Sequence, residues 1–135
     1  MILMNILKSI FEIVEELNES NNPKEVFPIY MGDFLDYVYS ADKQIQAEAI
    51  RQEPIMYSGL PMMYYAYLSA TADTIAHKYG IEIAEAWFNR RKYILEEPHF
   101  PHGLKGDIQI ILIAESPIEF RARNIFVSSN ALSRV

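Results

Sequence analysis

The chain has 135 residues, half of them hydrophobic and 22% charged, with a net charge of −6. This length fits one domain, residues 1–135, that can bury a hydrophobic core without covalent staples. Because the sequence contains no cysteine, disulfides, thiol nucleophiles and cysteine zinc sites are excluded. We do not expect nucleic-acid binding of an acidic chain, since phosphate contacts need clustered Lys and Arg.

The N-terminal segment does not resemble a signal peptide, because Lys8 and Glu12 interrupt its apolar run. No stretch approaches the roughly 18 apolar residues that a membrane span needs. We therefore expect a cytoplasmic protein that does not contact a membrane.

A spacing of three and four residues between apolar side chains predicts an amphipathic helix over about residues 2–19. The apolar positions are Leu3, Leu7, Ile10, Val14 and Leu17. The stripe resembles a short coiled-coil seam, so the helix either packs on the chain's own core or forms a homodimer. Core packing is the default interpretation.

Two further helices are predicted between the breaker at residues 18–23 and Pro54. Pro28 suits the first turn of the earlier helix, where its missing N–H removes no helical hydrogen bond. Asp42 can cap the later helix, which is expected to run to about Gln52.

The stretch Leu60–Tyr79 predicts the helix around which the fold is arranged. Its only charges are Asp73 and Lys78, and it is apolar or small on nearly every side. A helix of this kind belongs inside a bundle. Gly80 follows directly and suits a left-handed helix stop. We predict an all-α fold, a compact bundle of six or seven helices around this buried helix.

Residues 81–91 are predicted to form a shorter helix with Ala84, Trp87 and Phe88 buried. Residues 90–92, Arg-Arg-Lys, come at its C-terminal end, where the helix dipole favours cations. An anion or nucleic-acid contact is the alternative interpretation of these three bases.

A long connection over residues 93–106 precedes a predicted helix over residues 107–114. Ser116 and Pro117 then indicate the start of another helix. The Ser116 side chain can cap the first turn, and Glu119 can reach back to the cap amide.

Within that next helix we expect Ile118 and Phe120 to pack inward while Arg121 and Arg123 point elsewhere. Asn124 suits a left-handed residue that ends the helix. The two arginines either contact phosphate or tie the C-terminal segment to acids and helix-end carbonyls.

His99 and His102 lie beside Glu96 and Glu97, and His77 is a candidate third ligand. Imidazole and carboxylate groups bind zinc and similar ions, so a metal-dependent enzyme using His99 and His102 is one alternative function. The simpler interpretation is two loop histidines without a metal. The chain contains no G-x-S-x-G elbow, P-loop or G-x-G-x-x-G, so we expect no catalytic residues and no cofactor.

Methionine and tyrosine are concentrated at residues 56–67, and both are common at protein interfaces. The alternative is an aromatic-rich core. The candidate partner-binding residues are Met56, Tyr57, Met62, Met63, Tyr65, Arg121 and Arg123.

The tail ESPIEFRARNIFVSSNALSR, residues 115–134, resembles the C-terminal motif of a family of small, mostly uncharacterised bacterial proteins. The likeness extends upstream to about residue 45 and includes the helix that ends at Gly80, then Trp87 and the turn at residues 97–100. Many members have Trp where this chain has His99. The resemblance implies a link with mobile or defence loci, in which some members lie beside nucleotidyltransferase-like toxin genes.

Together these observations favour binding over catalysis. We expect a small protein–protein interaction or regulatory subunit, antitoxin-like in the narrower form implied by the resemblance, whose partner is a protein such as a toxin. A DNA-binding transcriptional regulator is the alternative from a different class, although no predicted helix carries a base-reading cluster of Arg, Asn and Gln.

Overall fold

The computed structural model describes residues 7–101 and 107–134. Within these ranges the chain forms six α-helices: α1 Ile10–Glu19, α2 Pro23–Tyr39, α3 Lys43–Arg51, α4 Met62–Tyr79, α5 Asp107–Glu115 and α6 Ile118–Arg121. Two 3-10 turns, Trp87–Asn89 and Arg91–Tyr93, lie between α4 and α5. The same ranges contain no β-strand, only an isolated parallel bridge between His99 and Ile125. The all-α prediction is confirmed.

The α4 helix is innermost, as predicted, and it contacts α1, α3, α6 and both 3-10 turns. Small residues such as Ala66, Ala70 and Ala72 are fully buried and let neighbouring backbones approach closely. Gly80 ends the helix with φ 63° and donates its N–H to the Ala76 carbonyl, which confirms the predicted stop. No helix in the described ranges is both long enough and apolar enough to cross a membrane.

The α1 helix begins later than predicted. The Ser9 hydroxyl accepts the Glu12 N–H at 3.1 Å and sets the start at Ile10, so residues 7–9 are not helical. Residues 2–6 of the predicted helix, including Leu3, lie outside the described residues. The described apolar positions Leu7, Ile10, Val14 and Leu17 are all buried in the chain's own core, as the core-packing interpretation expects.

The α2 helix begins at Pro23, so Pro28 lies inside the helix and the prediction that it occupies the first turn is wrong. An interior proline leaves the carbonyl four residues earlier without its helical donor. Here that carbonyl belongs to Lys24, an exposed residue in the first turn of the helix. The predicted Asp42 cap of α3 is confirmed, because its carboxylate accepts the Ile45 N–H at 3.0 Å.

The helix predicted over residues 81–91 is wrong, and a loop followed by 3-10 turns takes its place. Glu85 adopts φ 51°, a left-handed conformation that an α-helix cannot continue through. The Trp87 indole N–H donates to the Ile50 carbonyl at 2.8 Å, so a tertiary contact at the end of α3 overrides local helix propensity. Trp87 and Phe88 are buried as predicted, whereas Ala84 is exposed.

The capping role predicted for Ser116 is also wrong. Its hydroxyl accepts the Val127 N–H at 2.8 Å and lies within hydrogen-bonding distance of the Leu112 and Val127 carbonyls. The side chain therefore joins α5 to the extended tail instead of capping α6. Glu119 bonds His77 Nδ1 at 2.9 Å rather than the cap amide.

The α6 helix is a single turn that starts one residue after Pro117. A helix this short packs only one of its sides against the core. Phe120 is fully buried as predicted, whereas Ile118 is 66% exposed. Asn124 has φ 66° and ends the turn in the predicted left-handed conformation.

Arg123 joins the tail to α4, and the prediction that it points away from the core is wrong. Its Nε donates to Ser69 Oγ at 2.8 Å, and its Nη1 donates to Asp73 Oδ2 at 3.0 Å. The Glu119 carbonyl accepts from Nη1 at 2.7 Å, and the Phe88 carbonyl accepts from Nη2. A buried guanidinium is tolerated here because a counter-charge and three further acceptors surround it.

Replacing Arg123 by Ala is expected to lower the free energy of unfolding by about 3–5 kcal/mol, because it leaves the Asp73 carboxylate without its buried partner. Urea denaturation followed by circular dichroism measures this change. The matched control is Arg121→Ala, at an exposed position of the same tail, with an effect within about 0.5 kcal/mol. Equal stability of the two variants would contradict the role of Arg123.

Candidate partner-binding surface

The loop over residues 52–61 joins α3 to α4 and presents two large apolar side chains to solvent. Ile55 is 46% exposed and Met56 is 45% exposed, directly after the buried Pro54. We call Ile55 and Met56 the apolar tip. Exposed apolar side chains that adjoin one another are a feature of surfaces that bind partners.

The backbone of the apolar tip is held by Tyr65, which is buried on α4. The Tyr65 hydroxyl donates to the Ile55 carbonyl at 2.9 Å and accepts the Tyr57 N–H at 2.7 Å. The Tyr57 hydroxyl in turn donates to Glu15 Oε1 on α1 at 2.6 Å. The tip is therefore exposed in its side chains and fixed in its backbone.

Both phenols remain protonated at neutral pH and can keep donating. The hydrogen bond to the Glu15 carboxylate, together with burial, raises the pKa of Tyr57 to about 12. Burial raises the pKa of Tyr65 above its ordinary value. Ordinary changes of pH therefore leave the hydrogen bonds behind the tip intact.

Two of three consecutive cations contact the start of this loop through Glu53. Arg90 Nη1 donates to Glu53 Oε1 at 2.6 Å, and Lys92 Nζ lies 3.0 Å from Oε2. The Tyr93 hydroxyl also donates to Oε2, at 2.6 Å. We call Arg90, Arg91 and Lys92 the basic ridge.

Glu53 keeps its negative charge within this cluster. Burial alone would raise the pKa of its carboxyl, but hydrogen bonds from Tyr93 and Lys92 and the nearby charges hold that pKa below its ordinary value. The interpretation of the ridge as cations at an α-helix C-terminus is wrong, because Arg90 lies between the two 3-10 turns and Arg91 and Lys92 lie in the second. Glu53 is the counter-charge of Arg90 and Lys92.

The structure divides the predicted partner-binding residues into exposed, half-buried and buried groups. Met56 and Arg121 are exposed, and Tyr57, Met62 and Met63 are half-buried. Tyr65 is 1% exposed and Arg123 is 4% exposed, so neither side chain belongs to an exposed surface. Ile55 was not predicted, since an isolated isoleucine after a proline gives no periodic signal.

The predicted histidine pair is described only in part, because His102 lies outside the described residues. The His99 backbone pairs with the tail, donating to the Asn124 carbonyl and accepting the Phe126 N–H, both at 2.9 Å. Burial lowers the pKa of His99, which favours its neutral form. Among the residues that the structure describes, no three His, Asp or Glu side chains are placed to hold a metal ion.

His77, the candidate third ligand, lies instead in an ionic cluster between α4 and α6. Its Nδ1 is 2.9 Å from Glu119 Oε2 and 3.6 Å from Asp73 Oδ1. The hydrogen bond to Glu119 and the Asp73 charge raise the pKa of His77, partly opposed by burial and by the charge of Arg123. Protonated His77 therefore adds a second link between the tail and α4.

A second apolar surface lies on α5. Ile111 is 56% exposed and Ile113 is 45% exposed, while Leu112 between them is buried. In contrast to the apolar tip, no exposed run of cations in the described sequence adjoins these isoleucines.

Comparisons of the chain with protein-family models, with curated proteins and with solved structures found no match. The resemblance of the tail therefore stays an expectation. The structure gives the tail residues Ser116, Glu119, Arg123 and Asn124 a structural role, because each bonds another part of the fold.

Replacing Tyr65 by Phe is expected to lower the free energy of unfolding by about 1–3 kcal/mol, because the Ile55 carbonyl and the Tyr57 N–H lose their partner. Hydrogen exchange at the Tyr57 amide should accelerate. The matched control is Tyr64→Phe, whose hydroxyl bonds nothing in the described parts of the chain and whose loss should change neither quantity. Similar exchange in both variants would count against the anchoring role.

The link made by His77 is expected to depend on pH. Because its pKa in the folded protein is raised above the unfolded value of about 6.5, its stabilising effect is complete below that value and is lost as pH rises through the folded pKa. The effect should be less than about 1 kcal/mol, since the His77 side chain is 66% exposed.

The measurement compares urea denaturation of the wild type and His77→Gln between about pH 5 and pH 9. At low pH the wild type should be more stable than His77→Gln, and at high pH the two proteins should be equally stable. A difference that grows with pH would refute this linkage.

Proposed function

We propose that this chain is a small protein-binding subunit that acts by covering part of a partner protein. The observation that supports the proposal is the apolar tip, in which Ile55 and Met56 are exposed on a backbone that the buried Tyr65 fixes. Apolar anchors that enter a partner's pocket contribute much of the affinity at protein interfaces.

The fixed backbone matters because binding has an entropic cost. A loop that becomes ordered only in the complex loses conformational freedom at that moment, whereas an ordered loop loses little. Half-buried Tyr57, Met62 and Met63 lie close in sequence to the tip and can widen the contact. Methionine adapts well to irregular partner surfaces.

The narrower form of the proposal is an antitoxin-like role, in which the partner is a toxin and binding blocks its active surface. Its support is the resemblance of the tail at residues 115–134. The structural role of those tail residues leaves the apolar tip free to make the contact.

The proposal is tested with a photo-crosslinking amino acid placed at Met56 in the native cell, with Ile29 as the matched position. Ile29 is 60% exposed and lies on α2, away in sequence from the tip. We expect one protein to crosslink from Met56 and not from Ile29.

With that protein purified, Ile55→Asp/Met56→Asp should weaken binding at least about tenfold, because a buried unpaired charge opposes association. Ile29→Asp should leave the affinity unchanged. For a toxin partner, the double variant should also fail to relieve growth arrest. Absence of a crosslinked protein specific to Met56 would overturn the proposal, and loss of binding by Ile111→Asp alone would assign the contact to α5.

A further inference from the structure

We infer that the segment of the partner that covers the apolar tip is acidic, with Asp or Glu side chains seated against the basic ridge and apolar side chains against Ile55 and Met56. This inference rests on the proposed function and adds the chemical class of the partner.

The ridge and the tip lie within reach of one short peptide segment. Arg90 and Lys92 are both bonded to Glu53, and Ile55 follows Glu53 by two residues. Two residues span at most about 7 Å of backbone. A partner segment of a few residues that contacts Ile55 can therefore place a carboxylate beside Arg90 or Lys92.

The ridge has more positive charge than its own neighbours neutralise. Glu53 is the carboxylate that bonds both Arg90 and Lys92, and its side chain is only 27% exposed. The Arg91 side chain is exposed and makes no hydrogen bond or ion pair with any described residue. The side chains of Arg90 and Lys92 are 52% and 45% exposed, so each has donors left for a second acceptor.

The next acids along the chain do not bond the ridge. Glu96 and Glu97 are exposed, and they follow Leu95, whose N–H donates to the Arg123 carbonyl of the tail at 3.1 Å. Arg51, also exposed, lies two residues before Glu53 and adds to the positive charge. The ridge is thus a positively charged part of a chain whose net charge is −6.

An acidic protein segment fits this surface better than a nucleic acid does. Nucleic-acid sites combine several phosphate-binding cations with exposed aromatic rings on which bases stack. Here the exposed side chains that follow Glu53, Ile55 and Met56, are not aromatic, the Tyr93 ring near Lys92 is fully buried, and the whole chain repels a polyanion. Carboxylates next to apolar side chains satisfy both parts of the surface.

The test is a selection of random 12-residue peptides displayed on phage, with immobilised wild-type protein as bait and Met56→Asp protein for counter-selection. We expect the selected peptides to be enriched in Asp and Glu beside Leu, Ile, Phe or Met. A labelled synthetic peptide of the selected sequence then reports affinity by fluorescence anisotropy.

Arg91→Glu should weaken that peptide at least about tenfold, and so should replacing the peptide's acids by their amides. Arg91 is the residue to change, because Arg90 and Lys92 also hold Glu53. The matched control is Lys24→Glu, which reverses an exposed cation on α2 and should leave the affinity unchanged. Binding should weaken as salt rises from about 0.05 to 0.3 M, since exposed charges are screened.

Selected peptides that are basic or uncharged, yet still depend on Met56, would overturn this inference while the proposed function stands. Tighter binding of a 20-residue thymidine oligonucleotide than of any selected peptide, lost in Arg91→Glu, would overturn it in favour of a nucleic acid. A selection that yields no peptide dependent on Met56 would count against both.

Discussion

Arg123 brings a full positive charge into the interior, where each of its donors needs an acceptor to offset the loss of water. The acceptors come from three places in the chain: Ser69 and Asp73 on α4, Glu119 on α6, and the Phe88 carbonyl in the first 3-10 turn. The hydrogen bonds of the Arg123 side chain thus fix the tail, α4 and the first 3-10 turn relative to one another.

The basic ridge follows from that arrangement. The turn whose Phe88 carbonyl accepts a hydrogen bond from Arg123 also carries Trp87, whose indole N–H donates to the Ile50 carbonyl at the end of α3. Glu53 follows Ile50 by three residues and bonds Arg90 and Lys92, which come after that turn. The position of the exposed charges is therefore set by buried hydrogen bonds, because exposed ion pairs alone are too weak to order a surface.

Local chemistry was enough to predict much of the fold. The near absence of charge in α4 identifies a buried helix, Gly80 identifies its end, and the Asp42 cap identifies the start of α3. Predictions were wrong where a hydrogen-bond partner that is distant in the sequence determines the local structure. The sequence around Ser116 is typical of a helix cap, but its hydroxyl bonds Val127 because the extended tail passes beside it.

The candidate surface, too, could be predicted only where it depends on residues close together in the sequence. Met56 and Tyr57 could be predicted from composition, because methionine and tyrosine cluster there. The meeting of Glu53 with Arg90 could not be predicted, since 37 residues separate them and no periodicity links the two segments. Arg121 and Arg123 differ by two positions and look alike in sequence, yet only Arg123 finds acceptors inside the fold.

Charge acts on this surface at two ranges. Before contact, a partner experiences the summed charge of −6, and salt screens that field beyond about 10 Å. In the proposed complex, a partner segment on the apolar tip contacts the ridge, where Arg90 and Lys92 share the single carboxylate of Glu53. Apolar burial is non-directional and would accept many orientations of a partner segment. Guanidinium and ammonium donors at fixed positions are compatible with few orientations, so in the proposed complex the ridge selects the orientation of the segment and the tip contributes affinity.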